Sequence, residues 1–151
     1  MLLSRDVDLA MLPEPFVTQV LSKDDSLKID LDLTKEWDKA TEGKSLLTMG
    51  CLVARDEFIN SNKDAFNAII DEYKVSTEYV VNNVEEAASL SEKYDIMPAD
   101  VAKKAIPNCN IVFISGDEMQ SKTESFLNIL FEANPKSVGG TLPDEMFYYK
   151  K

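Results

Sequence analysis

Apolar and polar positions change period along the chain, and the change separates predicted strands from predicted helices. In DVDLAMLPEPF, residues 6–16, Val7, Leu9 and Met11 alternate with polar or small neighbours before Leu12, which predicts a buried strand that breaks at Pro13. A helix is predicted to start around Glu14 and Pro15 and to run to Leu21. Residues 27–33, LKIDLDL, alternate strictly and predict a half-buried strand. TKEWDKATEGK follows as a polar connector with one short helical turn around Trp37. LLTMGCLVA, residues 46–54, is an apolar run with Gly50 at its middle, which predicts a buried strand closely approached at the glycine by another backbone or a ligand.

Beyond residue 60 the period lengthens. Phe66, Ile69, Ile70, Tyr73, Thr77, Val80 and Val81 fall at three- and four-residue steps, one face of a long helix over Lys63–Asn82. Ser61 with Asp64, Asn83 with Glu86 and Ser115 with Glu118 have the spacing of helix N-caps. They predict the starts of the long helix, of one carrying Ala87, Leu90 and Tyr94 inward, and of a last one bearing Met119, Phe126, Leu127 and Leu130. Pro98 suits the first position of a shorter helix through Ala105, and Pro107 stops it. NIVFI, residues 110–114, predicts a fourth strand, and the aromatic tail after Asn134-Pro135 is predicted to pack down. The expected class is therefore α/β, helix-rich, with about four short strands and about five helices. Four strands so far apart do not make an obvious self-sufficient sheet.

Composition narrows the functions. At 151 residues and 44% apolar content the chain has the makings of a real core. A net charge of -11 repels nucleic acid and anionic membrane surfaces, so neither is expected as a partner. No apolar run is long enough for membrane insertion, and the first residues lack the pattern of a signal peptide, so the chain as written is expected to stay cytoplasmic. There is no histidine, which removes Ser-His-Asp and Cys-His catalysis and most zinc chemistry. Cys51 and Cys109 are far apart without metal-ligand spacing, and are expected to be buried apolar residues. No metal, cofactor or catalytic residue is predicted.

Taken in order, VDLAMLPEPF, LDLTKEWDK, LLTMGCLVARDEF, EEAASL, EKYDIMP, NIVFISG and ANPKSVGGTLPDEMFYY resemble one family across the whole chain. It is the C-terminal half of ABC transporter substrate-binding proteins of the nitrate, sulfonate, taurine and thiamine-precursor type. The resemblance implies part of a type II periplasmic-binding-protein fold, in which two lobes hold a small polar or anionic solute in their cleft and close by hinge motion. On that plan residues 1–45 are the end of the second lobe with its connector, 46–54 the crossing hinge strand, and 55–151 the C-terminal part of the first lobe. The family's N-terminal half and its export signal are missing from this plan. The complete family protein works in the periplasm or outside the cell at the membrane, beside an ABC permease.

The resemblance also implies ligand-contacting positions. Leu12, Pro13 and Glu14 lie where a strand end lines the cleft, and the helix starting there offers backbone N–H groups to an anion. Met49 and Gly50 lie on the crossing segment beside it. Each has a plainer reading: Glu14 as a favourable acid in a helix's first turn, and Met49 as ordinary core. Phe16 and Trp37 are assigned to packing. The expected function is a non-enzymatic solute-binding component of an importer, or a truncated copy of one. A half-protein should expose apolar faces, so the alternative is a homo-oligomeric interaction module without ligand. A thiamine-pyrimidine synthase-like enzyme is less favoured, because such enzymes depend on a histidine and a cysteine-rich stretch absent here.

Overall fold

Regular main-chain hydrogen bonding in the computed structural model, which describes residues 1–151, is confined to helices and turns. The helices are α1 (Phe16–Leu21), α2 (Leu33–Thr41), α3 (Asp56–Ser61), α4 (Lys63–Asn82), α5 (Val84–Lys93), α6 (Ala99–Ala105) and α7 (Gly116–Ala133). Short 3-10 turns cover Ile106–Asn108, Pro135–Val138 and Glu145–Phe147. There is no strand and no sheet, which overturns the expected α/β class and, with it, the partial type II architecture with about four strands.

The physical reason lies in what a strand needs. An α-helix closes its hydrogen bonds within one segment, whereas a strand forms only beside a second one. Residues 7–12, 28–31, 46–54 and 111–114, which hold most of the predicted strands, make no backbone–backbone hydrogen bond. Alternation of apolar and polar residues favours one buried face, but nothing within the chain pairs with these backbones, and most of their large apolar side chains stand exposed.

Two compact units divide the chain. The first comprises Met1–Ile29 and Ala68–Phe113, the second Asp30–Asn67 and Ile114–Lys151. In the first unit α5 and α6 pack through small side chains, and Ala87, Ala88, Ala102 and Ala105 are its buried apolar residues. Alanine has no side-chain entropy to lose and lets two helix backbones approach closely. Lys103 on α6 pairs with Glu85 on α5 across the exposed rim. Thr18 of α1, which touches α6, is also buried.

In the second unit aromatic contacts do the corresponding work. Phe66 is buried between Phe58, at a ring-centroid distance of 6.3 Å, and Tyr149, at 4.8 Å, both edge-on. The Tyr149 hydroxyl donates to the Asn67 side-chain oxygen at 2.7 Å, so the tail is packed down as its aromatics predict. Trp37 on α2 meets Phe126 on α7 at 5.3 Å, in keeping with its assignment to packing. Phe16, assigned the same way, is exposed.

Helix boundaries follow local chemistry, and not always the one expected. α4 keeps its predicted bounds, Lys63–Asn82. α2 is a full helix in place of a single turn, because Asp32 accepts from Thr34 N at 3.1 Å and Lys35 N at 3.3 Å and caps it. The expected side-chain caps at the other starts are not made. Asn62 and Asn83 are one-residue links between consecutive helices, and each amide donates backwards, to Phe58 O at 3.1 Å and Tyr79 O at 3.0 Å. They satisfy the last carbonyls of one helix in place of the first N–H groups of the next. Ser115 makes no capping bond to α7, whose first residue, Gly116, has φ +63°, a conformation that glycine tolerates without steric cost.

Candidate solute-contact segments

The segment 12–14 belongs to the first unit and leads into α1. Leu12 and Glu14 are half-buried and Pro13 is exposed. The N–H groups at the start of α1 already have partners. Phe16 N and Val17 N donate to Pro13 O at 2.9 and 3.3 Å, and Thr18 N donates to the Glu14 carboxylate at 3.1 Å. Glu14 lies two residues before α1, whose first turn holds no acidic residue, and its carboxylate occupies the Thr18 N–H. An anion approaching these N–H groups would have to displace that carboxylate. Glu14 also bears on Cys109, whose thiol is pushed above its ordinary value by burial first and by the Glu14 charge second. Cys109 is half-buried, whereas Cys51 is exposed, against the expectation that both are core.

Met49 and Gly50 belong to the second unit, and both are exposed. A side-chain carbon placed on Gly50 would meet nothing within 4 Å, so the close approach expected at this glycine is not made. Met49 does not have the core role of its plainer reading either. The structure therefore keeps Leu12, Pro13 and Glu14 together by chain continuity, keeps Met49 with Gly50 in the same way, and places the two groups in different units.

A feature that the sequence reading missed lies in the second unit. A cavity of about 210 Å³ is lined by Glu124, Leu127, Asn128, Leu142, Pro143 and Tyr148. Gln120 donates to the Glu124 carboxylate at 2.7 Å and holds it in place. Burial, and after it the Glu124 charge, raises the Tyr148 phenol above its ordinary value. The Tyr148 hydroxyl is buried without a hydrogen-bond partner, and so are Trp37 Nε1 and Ser45 Oγ in the same unit. Only the tail's cluster of aromatics after Pro143 hinted at this. The first unit has a more open groove of about 290 Å³ between α4 and residues 111–113, lined by Thr77, Glu78, Val81, Ile111, Val112 and Phe113. No group of three or more Cys, Asp or Glu side chains is arranged to hold a metal ion. No helix is long and apolar enough to cross a membrane.

The helices and their connections, taken as a whole, have a counterpart among solved structures. A crystal structure of a protein described as an ABC transporter, from Parabacteroides distasonis, superimposes over 99% of this chain with a TM-score of 0.75 and 29% sequence identity. The match takes up 51% of that protein, so the present chain spans about half its length. The fold is accordingly related to that of an ABC transporter protein, the broader part of what the ordered motifs implied. No protein-family model matches the chain, and no curated protein matches it.

Proposed function

We propose that this chain is the half of a non-enzymatic, solute-binding component of an ABC importer, and that it contributes one part of a site for a small polar or anionic solute. The observation that carries this reading is the likeness, over 99% of the chain, to a protein described as an ABC transporter. The ordered motifs from VDLAMLPEPF to DEMFYY support the narrower assignment to the substrate-binding type. Completed, such a protein works outside the cytoplasm and delivers its solute to a membrane permease.

Residues 1–151 on their own do not hold solute tightly in this reading. Pro13, Met49 and Gly50 lie open, and affinity requires several polar groups converging on one enclosed ligand. Calorimetry is the test, with a panel of nitrate, alkyl sulfonates, taurine and thiamine precursors. The expected result is no heat with residues 1–151 alone and saturable binding of one panel member once the rest of the fold is supplied. A completed protein that titrates flat against the whole panel overturns the solute-binding reading.

A further inference from the structure

The cavity in the second unit plays no part in the solute-binding reading. Its walls are Glu124, Leu127 and Asn128 of α7, Leu142 and Pro143 of the tail, and Tyr148. All of these lie within Ile114–Lys151, so one unit builds the cavity alone. Neither the segment 12–14 nor Met49 and Gly50 line it.

The α7 residues stand three and four positions apart, which puts them on one face of the helix. Gly139 and Gly140, at φ +81° and +92°, turn the tail back so that Leu142, Pro143 and Tyr148 close the other side. Tyr148 is only 6% exposed, and its hydroxyl has no hydrogen-bond partner. A buried hydroxyl left unpaired costs free energy, and a group that reaches it recovers that cost. The Glu124 charge bears on this phenol, so hydroxyl and carboxylate lie near one another, yet they are not bonded together. A group seated between them satisfies both.

The polar atoms that the walls offer are oxygens. Gln120 occupies Glu124 Oε1 at 2.7 Å and leaves Oε2 to a ligand. The Asn128 amide nitrogen donates to Glu124 O at 2.8 Å, which leaves Asn128 Oδ1 to accept. With the phenol oxygen these make three acceptors, one of them charged, and a primary ammonium has three donors and no acceptor. Lys150 feels the Glu124 charge, but it is paired with Asp117 at 2.6 Å and does not line the cavity. The remaining walls, Leu127, Leu142, Pro143 and the Tyr148 ring, suit an apolar body, and the ring also attracts a cation. A cavity of about 150 Å³ holds a benzene ring. The cavity here, at about 210 Å³, has room for such a ring with an ammonium arm.

We propose that this cavity is a binding site for a small primary ammonium compound with an apolar body of about six carbons. Its N–H groups donate to Glu124 Oε2, Asn128 Oδ1 and the Tyr148 oxygen, while its body covers Leu127, Leu142 and Pro143. Glu124 turns anions away. The site goes beyond the solute-binding reading and does not rest on it.

The test is calorimetry of residues 1–151 with benzylammonium, benzyl alcohol and benzoate, which share one body and differ in charge. Benzylammonium is expected to bind saturably, with a Kd of about 1 mM or tighter. Benzyl alcohol should bind at least about tenfold more weakly, and benzoate should give no heat. Glu124→Gln is expected to weaken benzylammonium by about tenfold or more. Tyr148→Phe keeps the ring and should cost about threefold. Glu132→Gln removes the same charge from α7 outside the cavity and should change binding by less than about twofold. That variant separates a site from general attraction to a chain of charge -11. Each variant is expected to keep its helical signal.

A flat benzylammonium titration overturns the proposal, as does benzyl alcohol binding just as tightly. So does a Glu124→Gln variant that binds like the parent, or a Glu132→Gln variant that loses as much as Glu124→Gln. A flat benzylammonium titration leaves the solute reading standing, and a completed protein that titrates flat against the solute panel leaves this site standing.

Discussion

The α5–α6 pair and residues 46–54 are both rich in apolar side chains, yet Ala102 is 1% exposed while Val53 stands 77% in water. The helices close their own hydrogen bonds and need only one another to bury a stripe of alanines. Residues 46–54 are more apolar, but their backbone has no partner, so their hydrophobicity has nothing to act against. Apolar content therefore does not decide burial here. A satisfied main chain lets α5 and α6 bury alanines against each other, but it does not guarantee burial, since α4 is helical throughout and still exposes Ile69, Tyr73 and Val75.

The sharpest way to break that contrast is to place a charge on each side of it. Ala102→Glu buries an unpaired carboxylate where α6 packs on α5, and is expected to cost about 3 kcal/mol or more in urea unfolding, with loss of helical signal. If Ala102→Glu is tolerated, the α5–α6 contact is not the fixed core of the first unit. Phe66→Ala should come next, at about 3 kcal/mol, since it removes a ring buried between Phe58 and Tyr149. A near-normal Phe66→Ala variant would mean that the second unit's aromatic cluster does not hold its tail.

Tyr148→Phe has a smaller effect and the opposite sign. Its hydroxyl is buried without a partner, so removing it is expected to stabilise the chain by about 1 kcal/mol. The pH dependence follows from the raised phenol. Below the ordinary 10.0 the group is neutral both folded and unfolded, and its contribution is complete. As pH rises from 10.0 through the raised value, the unfolded chain ionises first and stability falls. Tyr148→Phe should lose that part of the alkaline decline. An unchanged alkaline limb, measured by urea unfolding at a series of pH values, would show that Tyr148 is not held neutral in the folded state.

Helix positions were legible in the sequence wherever the three- and four-residue period was long, as over Lys63–Asn82, because an amphipathic helix is specified by its own segment. Strand positions were not, although the alternation at Val7, Leu9 and Met11 was real. Alternation encodes a preference for one buried face and says nothing about whether the neighbour lies in the same chain. The caps failed for a related reason. Asn83 has the composition of an N-cap, but a one-residue link gives its amide a nearer task on Tyr79 O. Glu14 could be read either way from sequence, and its carboxylate accepts from Thr18 N. The cavity at Tyr148 and Glu124 joins residues separated along the chain, so the tail's aromatics could hint at it but no local pattern could place Glu124 and Leu127 beside them.

The weakest expected effect is also the one that most directly tests the contrast. Ile29→Lys and Leu31→Lys replace two apolar residues of a stretch that alternates as cleanly as any buried strand. In a chain where that stretch packed against something, each would remove a buried side chain and cost about 2 kcal/mol or more. Both residues already stand in water. Each variant is therefore expected to unfold within about 0.5 kcal/mol of the parent chain. A large loss in either one, measured by urea unfolding of residues 1–151 at low concentration, would mean that this stretch is buried in solution. The distinction between self-satisfied helices and partnerless segments would then fail at the place where the sequence pattern argued for it most strongly.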